Sequence, residues 1–232
     1  MARIMPQVNL SRRVAPPESL RRRFELAETR VTVAAREYDL LHPRSVNELI
    51  SEEDFAIDER IPYWAQCWPS ARVLAEHIAR ENARRRRVLE LGCGIGLVSL
   101  VAAQAGFRVL ATDYYADALE FTLANAQRNG LRRVDTRLVD WRKLPDDLGT
   151  FDLVAASDVL YEAWQPGRIA AILAGVLSEG GLGLVSDPGR RTAEALLDEC
   201  ASVGLAAKCV ERVTTQDEGA RLTVSIFEVR RA

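Results

Sequence analysis

Val88-Leu89-Glu90-Leu91-Gly92-Cys93-Gly94-Ile95-Gly96 is an apolar run that passes into three alternating glycines. An apolar stretch of helical length follows, then Arg108-Val109-Leu110-Ala111-Thr112-Asp113, a second strand-like run ending in an acid. Strand, glycine turn, helix and acid-terminated strand make the front half of a nucleotide-binding βαβ unit. Glycine permits positive φ and lets backbone come close to a ligand. An acid at the position of Asp113 accepts hydrogen bonds from ribose hydroxyls. Dinucleotide sites favour G-x-G-x-x-G with the pyrophosphate on the helix N-terminus. Here the pattern is E-x-G-x-G-x-G, with Glu90 two residues before the first glycine. The alternatives are a tight βα turn in another α/β protein, with Asp113 as a helix N-cap, and an oxidoreductase that binds NAD.

Outward from this unit the chain reads as alternating strands and helices, which argues for a largely parallel sheet. The strands expected are Val88 to Leu91, Arg108 to Thr112, Val134 to Leu138, Phe151 to Ala156 and Leu182 to Ser186. The helices expected between them include Ala116 to Arg128, Arg168 to Leu177 and Thr192 to Val203. Ala206 to Thr215 and Arg221 to Arg230 then alternate around Gln216-Asp217-Glu218-Gly219, a hairpin signature. Ahead of the sheet, Thr29 to Val33 and Arg36 to Leu41 suggest a short hairpin. Ser45-x-x-Glu48 and Ser51-x-x-Asp54 look like helix starts, and Ala71 to Arg80 like an amphipathic helix. The division expected is a mobile tail over 1–28, a hairpin and helical extension over 29–85, and the main domain over 86–232.

The 232 residues are 48% hydrophobic and 28% charged, the balance of a globular chain. A net charge of −2 gives no support to bulk-charge binding of nucleic acid. No run has the length needed to span a bilayer, and no apolar signal core lies near Met1, so a cytoplasmic protein is expected. Cys67, Cys93, Cys200 and Cys209 form no C-x-x-C pair, which fits reduced thiols and neither zinc nor a disulfide framework. His42 and His77 are too few for most metal chemistry, and no metal site is expected. The run Arg84-Arg85-Arg86-Arg87 reads as the end of a helix and the solvated edge before a buried strand.

Three further motifs carry chemistry. They are Pro62-Tyr63-Trp64-Ala65-x-x-Trp68-Pro69-Ser70, Val139-Asp140-Trp141 and Ala156-Ser157-Asp158-Val159-Leu160-Tyr161. The glycine stretch resembles motif I of the class I S-adenosylmethionine-dependent methyltransferases. With the three motifs, residues Leu41 to Arg230 resemble the family-16 lysine methyltransferases, especially the branch holding the electron-transfer-flavoprotein β-subunit lysine methyltransferase. The fold this implies is α/β: a seven-stranded Rossmann-like sheet closed by a C-terminal antiparallel hairpin.

The resemblance implies S-adenosylmethionine as cofactor. Gly92, Gly94 and Gly96 would lie near its methionine part, Glu90 near its amino group and Asp113 on its ribose. Trp68 would lie against the sulfonium, since an indole face stabilises a cation; packing is the alternative, and the preferred one for Trp64. Asp140 and Trp141 would hold adenine, through the exocyclic amine and by stacking; the alternative is a turn acid beside a half-exposed indole. Ser157 would sit close to adenine or the methionine backbone. Asp158 and Tyr161 match a D-x-x-Y signature, with Asp158 orienting an amino group and Tyr161 lining the acceptor channel. A free lysine has a pKa of about 10.4 and must lose a proton before it attacks. A carboxylate opposes that loss, so Asp158 reads as a positioning group, with a helix N-cap as the alternative. Asp187-Pro188-Gly189-Arg190 reads as a turn, with contact between Arg190 and an acidic substrate as the other option.

The expected activity is direct in-line methyl transfer to an amine, a protein lysine first and a small-molecule amine second. A non-catalytic binding module in the same fold is the third reading.

Overall fold

Two alternating runs form β1 (Leu26–Val33) and β2 (Arg36–Pro43), an antiparallel hairpin. The computed structural model describes residues 15–46, 49, 62–83, 86–217 and 219–232. The helix starts expected at Ser45 and Ser51 lie largely outside these residues, as do Arg84 and Arg85. The hairpin turns on Ala34 and Ala35, with φ of 48° and 60°. Positive φ at both central residues is the two-residue geometry that matches strand twist, and glycine or asparagine usually fills it.

Beyond the hairpin come β3 (Arg87–Leu91), β4 (Arg108–Asp113), β5 (Val134–Leu138), β6 (Phe151–Ser157) and β7 (Leu177–Asp187). The chain ends in β8 (Leu205–Asp217) and β9 (Ala220–Arg231). These seven form one sheet in the order β5-β4-β3-β6-β7-β9-β8, parallel from β5 to β7, with β9 antiparallel to both its neighbours. β7 starts five residues before the expected strand. Leu177 pairs with Phe151 and Leu182 with Leu153, and the polar, glycine-bearing Ser178-Glu179-Gly180-Gly181, which reads as a turn, fills the register shift between them.

Helices cover both faces. α1 (Glu18–Arg23), α2 (Pro69–Ile78), α3 (Leu97–Ala105) and α4 (Ala116–Arg128) share one apolar cluster with the hairpin. α5 (Gln165–Val176) and α6 (Arg191–Ser202) pack on the other face around Leu89, Leu91 and Val154. Pro69 and Pro166 each open a helix, where proline's missing N–H removes no intrahelical bond.

Residues 15–28 depart from the free tail expected. Leu20 is fully buried, Arg23 pairs with Asp117 (2.5 Å) and Glu120 of α4, and Phe24 lies edge-on to Phe121 and Trp64. Proline and arginine composition suggested mobility, whereas one leucine and one aromatic ring dock the segment. The arginine run also differs from its reading. α2 ends at Ile78, and Arg86 and Arg87 stack on Phe107 and Phe151 at the entry to β3.

The hairpin is fastened to α4 by two asparagines one turn apart. Asn125 accepts from Leu41 N (2.7 Å) and donates to Leu41 O (2.9 Å), while Asn129 does the same with Asp39. Asn125 also donates to Ile95 O (2.9 Å), inside the glycine turn. The hairpin and the turn after β3 therefore share one buried amide.

Candidate active site

The chain builds β3, β4 and β5 outward in one direction, then returns to place β6 on the other side of β3. In open α/β sheets the crevice beyond the strand carboxyl ends at such a reversal is where ligands bind. A cleft of about 740 Å³ opens here, within the range of roughly 300–1,000 Å³ usual for small-molecule sites. Every residue expected at the site lines it: Trp68, Glu90, Gly92, Gly94, Gly96, Asp113, Asp140, Trp141, Ser157, Asp158 and Tyr161.

Gly92, at φ 70°, forms part of the floor. A Cβ there would meet the Trp141 ring at 3.2 Å and Val159 at 3.3 Å. Gly94, at φ 53°, is held by the fold itself, since a Cβ would lie 2.9 Å from the carbonyl oxygen of Trp64. The glycines thus admit neighbouring protein groups as well as any ligand.

Two buried carboxyls stand behind this turn. Glu90 accepts a hydrogen bond from Ser99 of α3, and burial pushes it up to about 8, with nearby Asp113 adding to the rise. Asp113 accepts from Gly94 N (2.9 Å) and Tyr115 N (3.0 Å), and burial raises it to about 6 despite those bonds. Its contacts tie the two turns together; Tyr115, not Asp113, is the N-cap residue of α4. Neither carboxyl forms an ion pair among the described residues, so a cationic ligand would lower the energy of both ionised forms.

Aromatic side chains make the opposite wall. Trp68 donates from Nε1 to Tyr63 O (2.8 Å), and its ring lies 6.0 Å from the Tyr63 ring, which is 5.4 Å from Tyr161. Trp64 packs instead against Phe121 and Tyr115 in the core. Trp141 crosses the floor with Nε1 buried and lacking a hydrogen-bond partner among the described residues. Asp140 faces its own turn: it accepts from Arg142 N (2.9 Å) and from the Arg142 guanidinium (3.0 Å), which holds it below the usual carboxylate range. Its geometry is that of a turn acid with part of its surface still on the cleft.

Asp158 follows β6 in a left-handed conformation, φ 61°. α5 starts seven residues later without a side-chain cap, so Asp158 is no N-cap. Its side chain is 7% exposed; Oδ1 pairs with Arg190 at 2.5 Å, and Oδ2 is buried without a hydrogen-bond partner among the described residues. Arg190 therefore meets an acid of its own chain. Sequence reading did not bring out this pairing, nor Tyr63 or Ser99. The signal for Ser99 was a single polar residue within Leu97-Val98-Ser99-Leu100-Val101.

Residues 88–181 match the family model described as a methyltransferase domain. The protein N-lysine methyltransferase METTL21A of Xenopus tropicalis is 35% identical over 103 residues, covering 42% of this chain and 47% of that protein. The electron transfer flavoprotein beta subunit lysine methyltransferase of Xenopus laevis is 30% identical over 133 residues, covering 56% and 53%. The chain thus spans about half the length of the curated relatives it matches. Among solved structures, the 16S rRNA N2 G1207 methyltransferase of T. Thermophilus, in complex with AdoMet and guanosine, shares the fold with a TM-score of 0.62. It is 15% identical, over 89% of this chain and 51% of that one. Sheet order, cleft and matched segment agree: residues 88–181 resemble a methyltransferase domain, set in a fold that solved methyltransferases share.

Proposed function

We propose that this chain is an amine N-methyltransferase whose acceptor is a protein lysine. One observation carries the reading. Among the described residues, one cleft has two buried carboxyls without an ion-pair partner at its floor and, beside an aromatic wall, a carboxylate oxygen with no hydrogen-bond partner. The first pair suits a ligand with an ammonium and a sulfonium; the second suits an amine.

S-adenosylmethionine would supply an electrophilic methyl group on its sulfonium. Glu90 and the turn Gly92, Gly94 and Gly96 would hold its methionine end, and Asp113 its ribose. Trp141 would stack on adenine, with Ser157 close by and Asp140 at the outer edge. Trp68 presents an indole face to the cation. Asp158 Oδ2 accepts an N–H of the incoming amine and fixes its direction of approach, while Tyr63 and Tyr161 exclude water from its aliphatic stem. Positioning of this kind supplies most of the rate when the leaving group is already good.

The curated relatives' names support a lysine acceptor, and a small-molecule amine is the alternative that the same cleft admits. We place the cofactor domain in residues 86–232, with 29–85 as the extension that braces it. The four free cysteines fit a reducing cytoplasm. Among the described residues no helix is long and apolar enough to cross a membrane.

Calorimetric titration with S-adenosylmethionine and S-adenosylhomocysteine tests the reading. Micromolar binding, weakened by Asp113→Ala and by Trp141→Ala, is expected. A folded protein that binds neither compound would overturn it.

A further inference from the structure

A carboxylate beside a lysine stabilises the ammonium, which has no lone pair with which to attack. Asp158 does not stand in the cleft as a lone anion. Arg190 Nη2 pairs with its Oδ1 at 2.5 Å, and Arg190 Nη1 reaches Asp187 Oδ2 at 3.1 Å. Asp187 is fully buried at the end of β7, where its Oδ1 accepts from Gly189 N (2.8 Å) and Arg190 N (2.6 Å). Asp158 N in turn donates to Ser186 O (2.9 Å), so both acids are anchored to neighbouring strand ends. A planar guanidinium held between two fixed carboxylates has little freedom, and it fixes the carboxylate it touches.

We propose that Arg190 is a positioning residue: it locks the Asp158 carboxylate so that Oδ2 is the oxygen left for the acceptor amine, and it balances that charge so that the amine is bound in its neutral, attacking form. This rests on the amine-acceptor reading above. Arg190 acts through Asp158. The removal of a cation this close changes the stability of a bound ammonium by an amount equivalent to roughly 1–3 pKa units. The other ionisable groups on the cleft walls are Tyr63 and Cys67 before α2, Tyr161 and Glu162 after β6, Asp140 and Arg142 after β5, and Glu90, Cys93, Asp113, Tyr114 and Tyr115 at the floor. They are common to every variant below.

The test uses butyltrimethylammonium, a permanent cation, titrated into the protein with and without S-adenosylhomocysteine. Arg190→Gln should bind this probe about tenfold more tightly than wild type, and Arg190→Lys about as wild type does. In parallel, methyl transfer from radiolabelled S-adenosylmethionine to proteins of a cell extract is followed against pH. The rising limb of kcat should move up by about one pH unit in Arg190→Gln and stay in place in Arg190→Lys. A residue that merely supports the fold would weaken probe binding or leave it unchanged, and would leave the limb where it is; either result overturns the proposal. If Arg190→Gln does not fold, Asp187→Asn/Arg190→Gln removes the buried charge that Arg190 otherwise balances, and the same two readouts apply. If S-adenosylhomocysteine does not bind, the cofactor reading has failed, while the titration without it still judges the role of Arg190.

Discussion

The hydroxyl of Ser99, in the first turn of α3, donates a hydrogen bond to Oε2 of Glu90 near the end of β3, with both side chains buried. One neutral donor cannot offset the loss of water around a carboxylate, so burial leaves Glu90 raised to about 8. A buried acid of this kind is poised to ionise when a cation arrives.

Cofactor binding should therefore release protons. At pH 7 Glu90 is mostly protonated in the free protein, and a ligand ammonium favours its ionised form. Calorimetry of S-adenosylmethionine binding in buffers of different ionisation enthalpy should show up to about one proton released near pH 7, and Glu90→Gln should lose most of that release. Identical apparent enthalpies in all buffers for the wild type would count against it.

The same shift sets the pH dependence of stability without ligand. Glu90 is raised from 4.5 to about 8 and Asp113 from 3.8 to about 6 by folding. The folded state then binds more protons than the unfolded chain between these values. Their stabilising contribution is complete below about pH 4 and is lost as pH rises through 6 and 8. Thermal unfolding should show Tm falling by several degrees from pH 5.5 to 8.5, each kcal/mol being worth about 2–4 °C in a domain of this size. Glu90→Gln should flatten most of the slope.

Asn125 is the joint between the hairpin and the glycine turn. Asn125→Ala removes three hydrogen bonds and leaves buried backbone groups of Leu41 and Ile95 unpaired. Urea denaturation should register a loss of about 2–4 kcal/mol, since each such orphaned group costs roughly 1–3. The variant should also bind S-adenosylmethionine more weakly, because Ile95 lies within the turn.

Ala34 and Ala35 hold the hairpin turn at positive φ. Ala35→Gly relieves that conformation and should raise stability by about 0.5–1 kcal/mol, whereas a valine there should lower it by more. Chemical denaturation of the two variants checks the sign.

Much of this architecture can be read from the chain because continuous apolar runs bounded by glycine or acid leave few alternatives. α4 and β5 fall on the residues expected, and β3, β4 and β6 differ by one. What escaped reading depends on tertiary contacts. The 15–28 segment is polar and proline-bearing, and only the docking of Leu20 and Phe24 decides that it is ordered. The Ala-Ala turn carries no turn signature, so only the alternation on either side of it pointed to a hairpin. In the cleft, the residues named from the glycine turn and the three motifs line one crevice, since strand ends converge wherever a parallel sheet reverses. The pairing of Arg190 with Asp158 was not legible, because it needs β6 and β7 side by side. Asp140 is a different case: its neighbour Arg142, two residues on, bonds the carboxylate to which the resemblance gave an adenine role.

The most direct test of the central claim is transfer of a radiolabelled methyl group from S-adenosylmethionine to extract proteins, followed by hydrolysis and amino-acid analysis. Label on Nε-methylated lysine is expected, reduced at least about 100-fold by Asp158→Ala, with S-adenosylhomocysteine affinity within about twofold of wild type. Cofactor bound normally with no label on any amine, or lysine label indifferent to Asp158→Ala, would contradict the account.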